Sequence, residues 1–107
     1  MPATGEQIHI SGQVGVSIDG VLAEGEEAQH RQIWANILGL LEAEGLGAGD
    51  IIGVTAYITA QSGVPVFRQV RDEMLAGANS ASTLVIVSGL ADPAWLVEIS
   101  AIAHKPA

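Results

Sequence analysis

Cysteine is missing altogether from these 107 residues. Its absence excludes disulfides, thiolate zinc centres and cysteine nucleophiles together, and with them the framework of a small disulfide-rich secreted protein. Basic residues are nearly as scarce. Four Lys+Arg against twelve Asp+Glu leave a formal net charge of −8, with a pI near 4.5. So acidic a surface repels a phosphate backbone, and no nucleic-acid partner is expected. Long apolar runs are absent too: Leu84 to Val87 is typical, far below the roughly 20 residues that span a bilayer. No membrane partner is expected either. The opening Met1-Pro2-Ala3-Thr4-Gly5-Glu6-Gln7 has neither the basic nor the apolar part of a signal peptide. The expectation is a soluble, cytoplasmic protein folded as one domain over residues 1–107.

What is abundant is apolar surface. Hydrophobic residues make up 49% of the chain, only 15% are charged, and the mean hydropathy is +0.38. A domain of this size buries only about two-thirds of its unfolded surface. The remainder suggests burial against other subunits, so the composition leans towards an oligomer.

Along the chain, Gln7-Ile8-His9-Ile10-Ser11 alternates polar and apolar, which predicts a strand ending at Gly12. Val14-Gly15-Val16 continues it past a bulge, and Ser17-Ile18-Asp19-Gly20 reads as a turn. Between Glu26 and Glu44 the period changes: Ile33, Trp34, Ile37, Leu38 and Leu41 share one helical face. Glu24, Glu26 and Glu27 suit the start of that helix, and Gly45 and Gly47 suit its end. Ile51 to Thr59 reads as a strand. A second helix is expected from Pro65 to about Leu75, burying Val66, Phe67, Val70 and Met74. Two more strands, Thr83 to Leu90 and Trp95 to His104, are joined by Ala91-Asp92-Pro93. The order is β-α-β-α-β-β.

Packing adds a constraint. Residues 51–58, 84–87 and 96–103 are largely apolar on both faces, so their sheet needs a cover on each side. Two helices cover one face of a four-stranded sheet, and no segment is left for the other. Another copy of the chain must supply it, unless the protein is an unusually apolar monomer.

Glu98 is the most informative single residue. It shares a strand face with Leu96, Ser100 and Ile102, opposite Val97, Ile99, Ala101 and Ala103. A carboxylate in an apolar sheet is costly to bury without a partner, which points to function, to a satisfying Arg or amide, or to simple exposure. The three histidines, His9, His30 and His104, have no metal-ligand spacing, so no metal centre is expected. His9 shares a face with Ser11, as a catalytic pair or, more commonly, as plain polar surface. Gly45-Leu46-Gly47-Ala48-Gly49 resembles part of a dinucleotide fingerprint, but it follows a helix, which points to a helix end and loop. Arg68, Arg71, Asp72 and Glu73 read as a solvated face with local ion pairs, and Trp34 and Trp95 as packing residues, with Trp95 also a candidate for an interface.

Several stretches together resemble the Rid (reactive intermediate deaminase, or YjgF) family. They are Ile10-Ser11-Gly12-Gln13, Asn36-Ile37-Leu38, Gly45, Gly49-Asp50-Ile51 and Thr55-Ala56-Tyr57-Ile58-Thr59. The series continues with Phe67-Arg68-Gln69-Val70-Arg71, Gly89-Leu90-Ala91-Asp92-Pro93, Leu96-Val97-Glu98-Ile99 and Ala101-Ile102-Ala103. The resemblance implies an α+β, chorismate-mutase-like fold with a mixed sheet and two helices on one face. It also implies a homotrimer with a central barrel of sheets and three clefts between subunits. In such clefts family members hydrolyse enamines or imines derived from amino acids, without a cofactor.

Carried over by position, Glu98 corresponds to the family's site glutamate, which positions or activates water. Ser11 and Gly12 correspond to its strand-end site residues, and Thr83 to a small hydroxyl residue beside the site arginine. The arginine's own place falls at Ser82, which cannot hold a carboxylate bidentately. The family's N-terminal strand with its Gly-Pro-Tyr segment is also missing. The expected activity is therefore hydrolysis of an imine, enamine or related C=N metabolite other than the standard 2-imino acid. The alternative is a non-enzymatic trimer that binds a small molecule in the same cleft.

Overall fold

The computed structural model describes residues 5–77 and 80–106; the opening residues 1–4, part of the segment read for a signal peptide, lie outside them. The elements in chain order are β1 (Glu6–Val14), α1 (Glu26–Ala43), a 3-10 turn (Ala48–Asp50), β2 (Ile51–Ile58), α2 (Gly63–Leu75), β3 (Ala81–Ile86) and β4 (Val97–Lys105). The sheet order is β1-β4-β2-β3. β4 runs antiparallel to both β1 and β2, whereas β3 lies parallel to β2. This is the expected mixed sheet.

α1 ends as its glycine requires. Gly45 takes φ +74, which frees its N–H to reach Glu42 O at 2.9 Å and lets Leu46 N–H reach Leu41 O at 2.9 Å. These two reversed bonds satisfy carbonyls that the last helical turn leaves over. Gly47 N–H then donates to Asp50 Oδ2 at 2.8 Å. The glycine-rich segment is thus a helix stop, with no dinucleotide-binding geometry.

One sheet face is a closed core. Ile10 of β1, Val54, Ala56 and Ile58 of β2, and Val97, Ile99, Ala101 and Ala103 of β4 are buried with Ile33, Trp34, Ile37 and Leu41 of α1 and Phe67, Val70 and Leu75 of α2. Each Val, Leu, Ile or Phe side chain among them contributes roughly 1.5–3 kcal/mol by leaving water. Both helices lie on this face.

Several element ends differ from the sequence reading. β1 does not end at Gly12. It slips register between Ile10 and Gln13 and runs on to Val14, so the bulge sits at Ser11-Gly12 and not at Gly15. Val16 bridges Leu22, across a turn closed by Gly20 N–H to Ser17 O at 2.9 Å. α2 starts two residues before Pro65, because the first helical N–H groups have no partner to lose and proline is tolerated there. β3 spans Ala81–Ile86 instead of Thr83 to Leu90. Its partner β2 stops at Ile58, and after Val87 N–H bonds Ile58 O at 2.8 Å there is no strand left to pair with. β4 begins at Val97 instead of Trp95, since Trp95 N–H is held by Asp92 O at 3.0 Å in the preceding turn.

Candidate functional site

The alternation that buries one face of the sheet presents the other. Register places Gln7 and His9 of β1 opposite His104 and Ile102 of β4, Ser100 and Glu98 opposite Thr55 and Tyr57 of β2, and Thr55 and Tyr57 beside Thr83 and Val85 of β3. Among the described residues no element covers this row. A depression of about 360 Å³ lies on this face, lined by His9, Ser11, Thr55, Thr83 and Ser100 together with small and apolar neighbours.

Glu98 stands one step along β4 from that depression. It pairs with Val14 on one side and Tyr57 on the other. Its carboxylate lies over Gly12: a Cβ added there would meet Glu98 Oε2 at 2.6 Å and Cδ at 2.8 Å. Only glycine leaves that room, and the β1 bulge is what brings Gly12 under the acid. Glu98 is half-buried and has no ion-pair partner among the described residues. The arrangement holds one free carboxylate, fixed at its base, beside a hydroxyl-rich hollow.

The sequence-predicted residues are distributed unevenly over it. Ser11 and Thr83 line the depression, and Gly12 and Glu98 touch each other at its margin. Ser82 stands apart. It pairs with Val54, a core residue, so it belongs to the helix-facing row of β3, while Thr83 pairs with Thr55 on the open row. Thr55, Tyr57 and Ser100 were not singled out from sequence, although strand parity with Glu98 is the signal that finds them.

Gln29 is a supporting residue that sequence reasoning missed. It is almost fully buried. Its amide donates to Ala94 O at 3.1 Å and accepts from Leu96 N–H at 2.9 Å, which fixes the entry to β4 two residues before Glu98. A glutamine inside a helix carries no periodicity signal of its own.

His30 belongs to the helix layer. Its Nδ1 lies 2.8 Å from Glu26 O; a carbonyl only accepts, so the ring proton sits on Nδ1. Nε2 is buried without a partner, and the Phe67 ring centroid is 6.2 Å away. Burial pushes the His30 pKa down, against the smaller upward pull of the Glu26 carbonyl bond and charge. On the outer surface Arg31 joins Glu73 at 2.8 Å and Glu27 at 2.9 Å. These contacts raise the arginine's pKa, and the bond to Arg31 lowers that of Glu73. Among the described residues no cluster of three or more His, Asp or Glu forms that could hold a metal ion, and no helix is long and apolar enough to cross a membrane.

Comparison with known proteins agrees with this architecture. A RutC family protein from Pyrococcus horikoshii is 33% identical over 103 residues, covering 94% of this chain and 81% of its own length. RidA from an Antarctic Psychrobacter is 30% identical with a TM-score of 0.87, over 96% of this chain and 84% of that one. E. coli TdcF, solved with bound serine, is 25% identical with a TM-score of 0.86, over 98% and 84%. The profile of the Endoribonuclease L-PSP family matches residues 2–105. So complete a match, on a fold shared along nearly its whole length, shows that the chain belongs to the Endoribonuclease L-PSP family, also called the Rid or YjgF family.

Proposed function

We propose that this chain assembles as a homotrimer whose sheets face one another, and that the clefts so formed hydrolyse a small metabolite with a C=N bond. The observation that carries this reading is the Glu98 carboxylate lodged over Gly12 beside the Ser11–Thr83 hollow. A carboxylate without a cationic partner is available to take a proton from water. In the reaction, water oxygen bonds to the imine carbon, the C–N bond breaks, and both water protons end on the departing nitrogen. The products are a carbonyl compound and ammonia or an amine. Water is the only co-reactant, so no cofactor is required. Ser11, Gly12 and Thr83 would contact the substrate, and Glu98 would place and activate the water.

Assembly is supported by the exposed sheet face and by the edge strand β3, whose Val85 and Ile86 remain 39% and 48% exposed. An unpaired edge that carries exposed apolar side chains favours association with another copy. The serine held by E. coli TdcF supports a small polar metabolite as the kind of ligand. Ser82 is what favours the second reading, a trimer that binds a metabolite without turnover. It stands where the family resemblance calls for an arginine, and its hydroxyl cannot supply a bidentate, charge-assisted contact.

Sedimentation equilibrium is expected to give a species of three 11.0 kDa chains; a stable monomer at micromolar concentration refutes the assembly. Imine hydrolysis should be accelerated by the natural protein and lost in Glu98→Ala. Binding without acceleration, unchanged by that substitution, selects the non-enzymatic reading.

A further inference from the structure

All four Lys and Arg residues of the chain are accounted for in the structure, and none lies on the open face of the sheet. Arg31 is on α1, tied to Glu27 and Glu73. Arg68 and Arg71 are on α2, with Arg71 held by Asp72 at 2.9 Å and stacked 5.4 Å from the Phe67 ring centre. Lys105 ends β4 in the same row as Val97, Ile99, Ala101 and Ala103, and its Nζ reaches back to Glu44 after α1 at 3.4 Å. Both helices cover the opposite face. The open face instead carries the Glu98 carboxylate, the hydroxyls of Ser11, Thr55, Thr83 and Ser100, and the rings of His9, Tyr57 and His104.

In the assembly proposed above, with the sheets facing one another, the neighbouring copy also presents its sheet face, which carries another Glu98 and no Lys or Arg.

From this we infer that the cleft selects ligands without a carboxylate, and that it takes a small amine or iminium whose cationic nitrogen lies towards Glu98. This rests on the reading of the sheet face as a ligand cleft. A carboxylate entering it meets like charge and loses its hydration with no permanent cation in return. An ammonium or protonated imine meets Glu98 and the neighbouring hydroxyls. One unit-charge pair about 6 Å apart at a half-solvated surface is worth about tenfold in affinity. The iminium is also the form of a C=N bond that water attacks most readily, so the same electrostatics suit the hydrolysis.

The test uses two matched pairs of probes on the full chain. The first pair is 2-aminobutyramide, a cation without a carboxylate, and 2-aminobutyrate. They are titrated while the backbone amide resonances of Thr55, Thr83 and Ser100 are followed by NMR. The amide is expected to shift these resonances at concentrations at least about tenfold lower than the amino acid, and Glu98→Gln is expected to erase the difference. The second pair is the imine made from n-butylamine by an amine oxidase and the one made from 2-aminobutyrate by an amino-acid oxidase. Each is followed by competition with semicarbazide, and only the first should be cleared faster by the protein. Equal or tighter binding of 2-aminobutyrate, or faster clearance of its imine, overturns the ligand class and leaves hydrolysis standing. Clearance of neither imine, with the binding preference intact, overturns hydrolysis and leaves the ligand class standing. No shift with either amine overturns the ligand class, and the clearance assay alone then decides hydrolysis.

Discussion

Placing a methyl group at residue 12 tests the site's geometry without any knowledge of the substrate. In Gly12→Ala the new Cβ would lie 2.6 Å from Glu98 Oε2 and 2.8 Å from Cδ, whereas ordinary contact begins at 3.4 Å. The acid must therefore withdraw by about 0.8 Å. Gly12 is not among the residues with positive φ, so alanine suits the backbone and the penalty arises from the side chain alone. Glu98 has three rotatable torsions, and forcing one off its minimum costs about 0.5–1.5 kcal/mol. With the acid removed in Glu98→Ala, the same methyl should instead stabilise by about 0.4–1 kcal/mol, because it restricts the unfolded chain. The two substitutions are thus expected to couple by roughly 1–2.5 kcal/mol. The assay is urea unfolding of the four proteins at one fixed protomer concentration, since association contributes to apparent stability. Gly12→Ala costing the same in both backgrounds would refute the contact. In the turnover assay, a shift of about 1 Å at the acid should lower the rate about 100-fold.

Gln29→Ala should destabilise the protein by about 1–2 kcal/mol, because it removes two part-buried hydrogen bonds, to Ala94 O and from Leu96 N–H. Amide hydrogen exchange at Leu96 should accelerate well beyond that of the α1 amides, and unchanged protection there contradicts the clamp. His30 has a folded-state pKa below its ordinary 6.5, so below that value the unfolded chain binds the proton that the folded one refuses. Stability should then fall as pH drops below about 6.5, levelling off only below the folded-state pKa. In His30→Asn the difference in urea midpoint between pH 7.5 and 5.5 should shrink, and an equal difference in both proteins removes His30 as its source. Despite the family's ribonuclease-derived name, filter assays at physiological salt should retain no RNA. Four basic residues against a charge of −8 release few counterions, and tight, salt-sensitive retention would contradict this.

The sequence by itself determined the helix layer and the division of the sheet into two faces. Residues at helical spacing in α1 and the strict alternation of Val97, Ile99, Ala101 and Ala103 have one apolar solution each, and the burial follows it. It also singled out Glu98, because an acid on an otherwise apolar strand stands out without any structure. Local chemistry stopped α1 at Gly45 for the same reason: only a residue free to take positive φ closes that turn.

Tertiary structure decided what depends on partners distant in sequence. The length of β3 was set by where β2 ends, and the bulge in β1 by its pairing with β4. That bulge slides Gly12 beneath Glu98, 86 residues of chain away in sequence by their own numbers, and no spacing rule encodes the contact. Strand register also separates Ser82 from Thr83 onto opposite faces and aligns Thr83 with Thr55 and Ser100 around one hollow. The composition shows only that cations are few. Their confinement to the helix side, which leaves Glu98 as the fixed charge of the sheet face, arises because helices and sheet bury one common core and so present opposite outer surfaces.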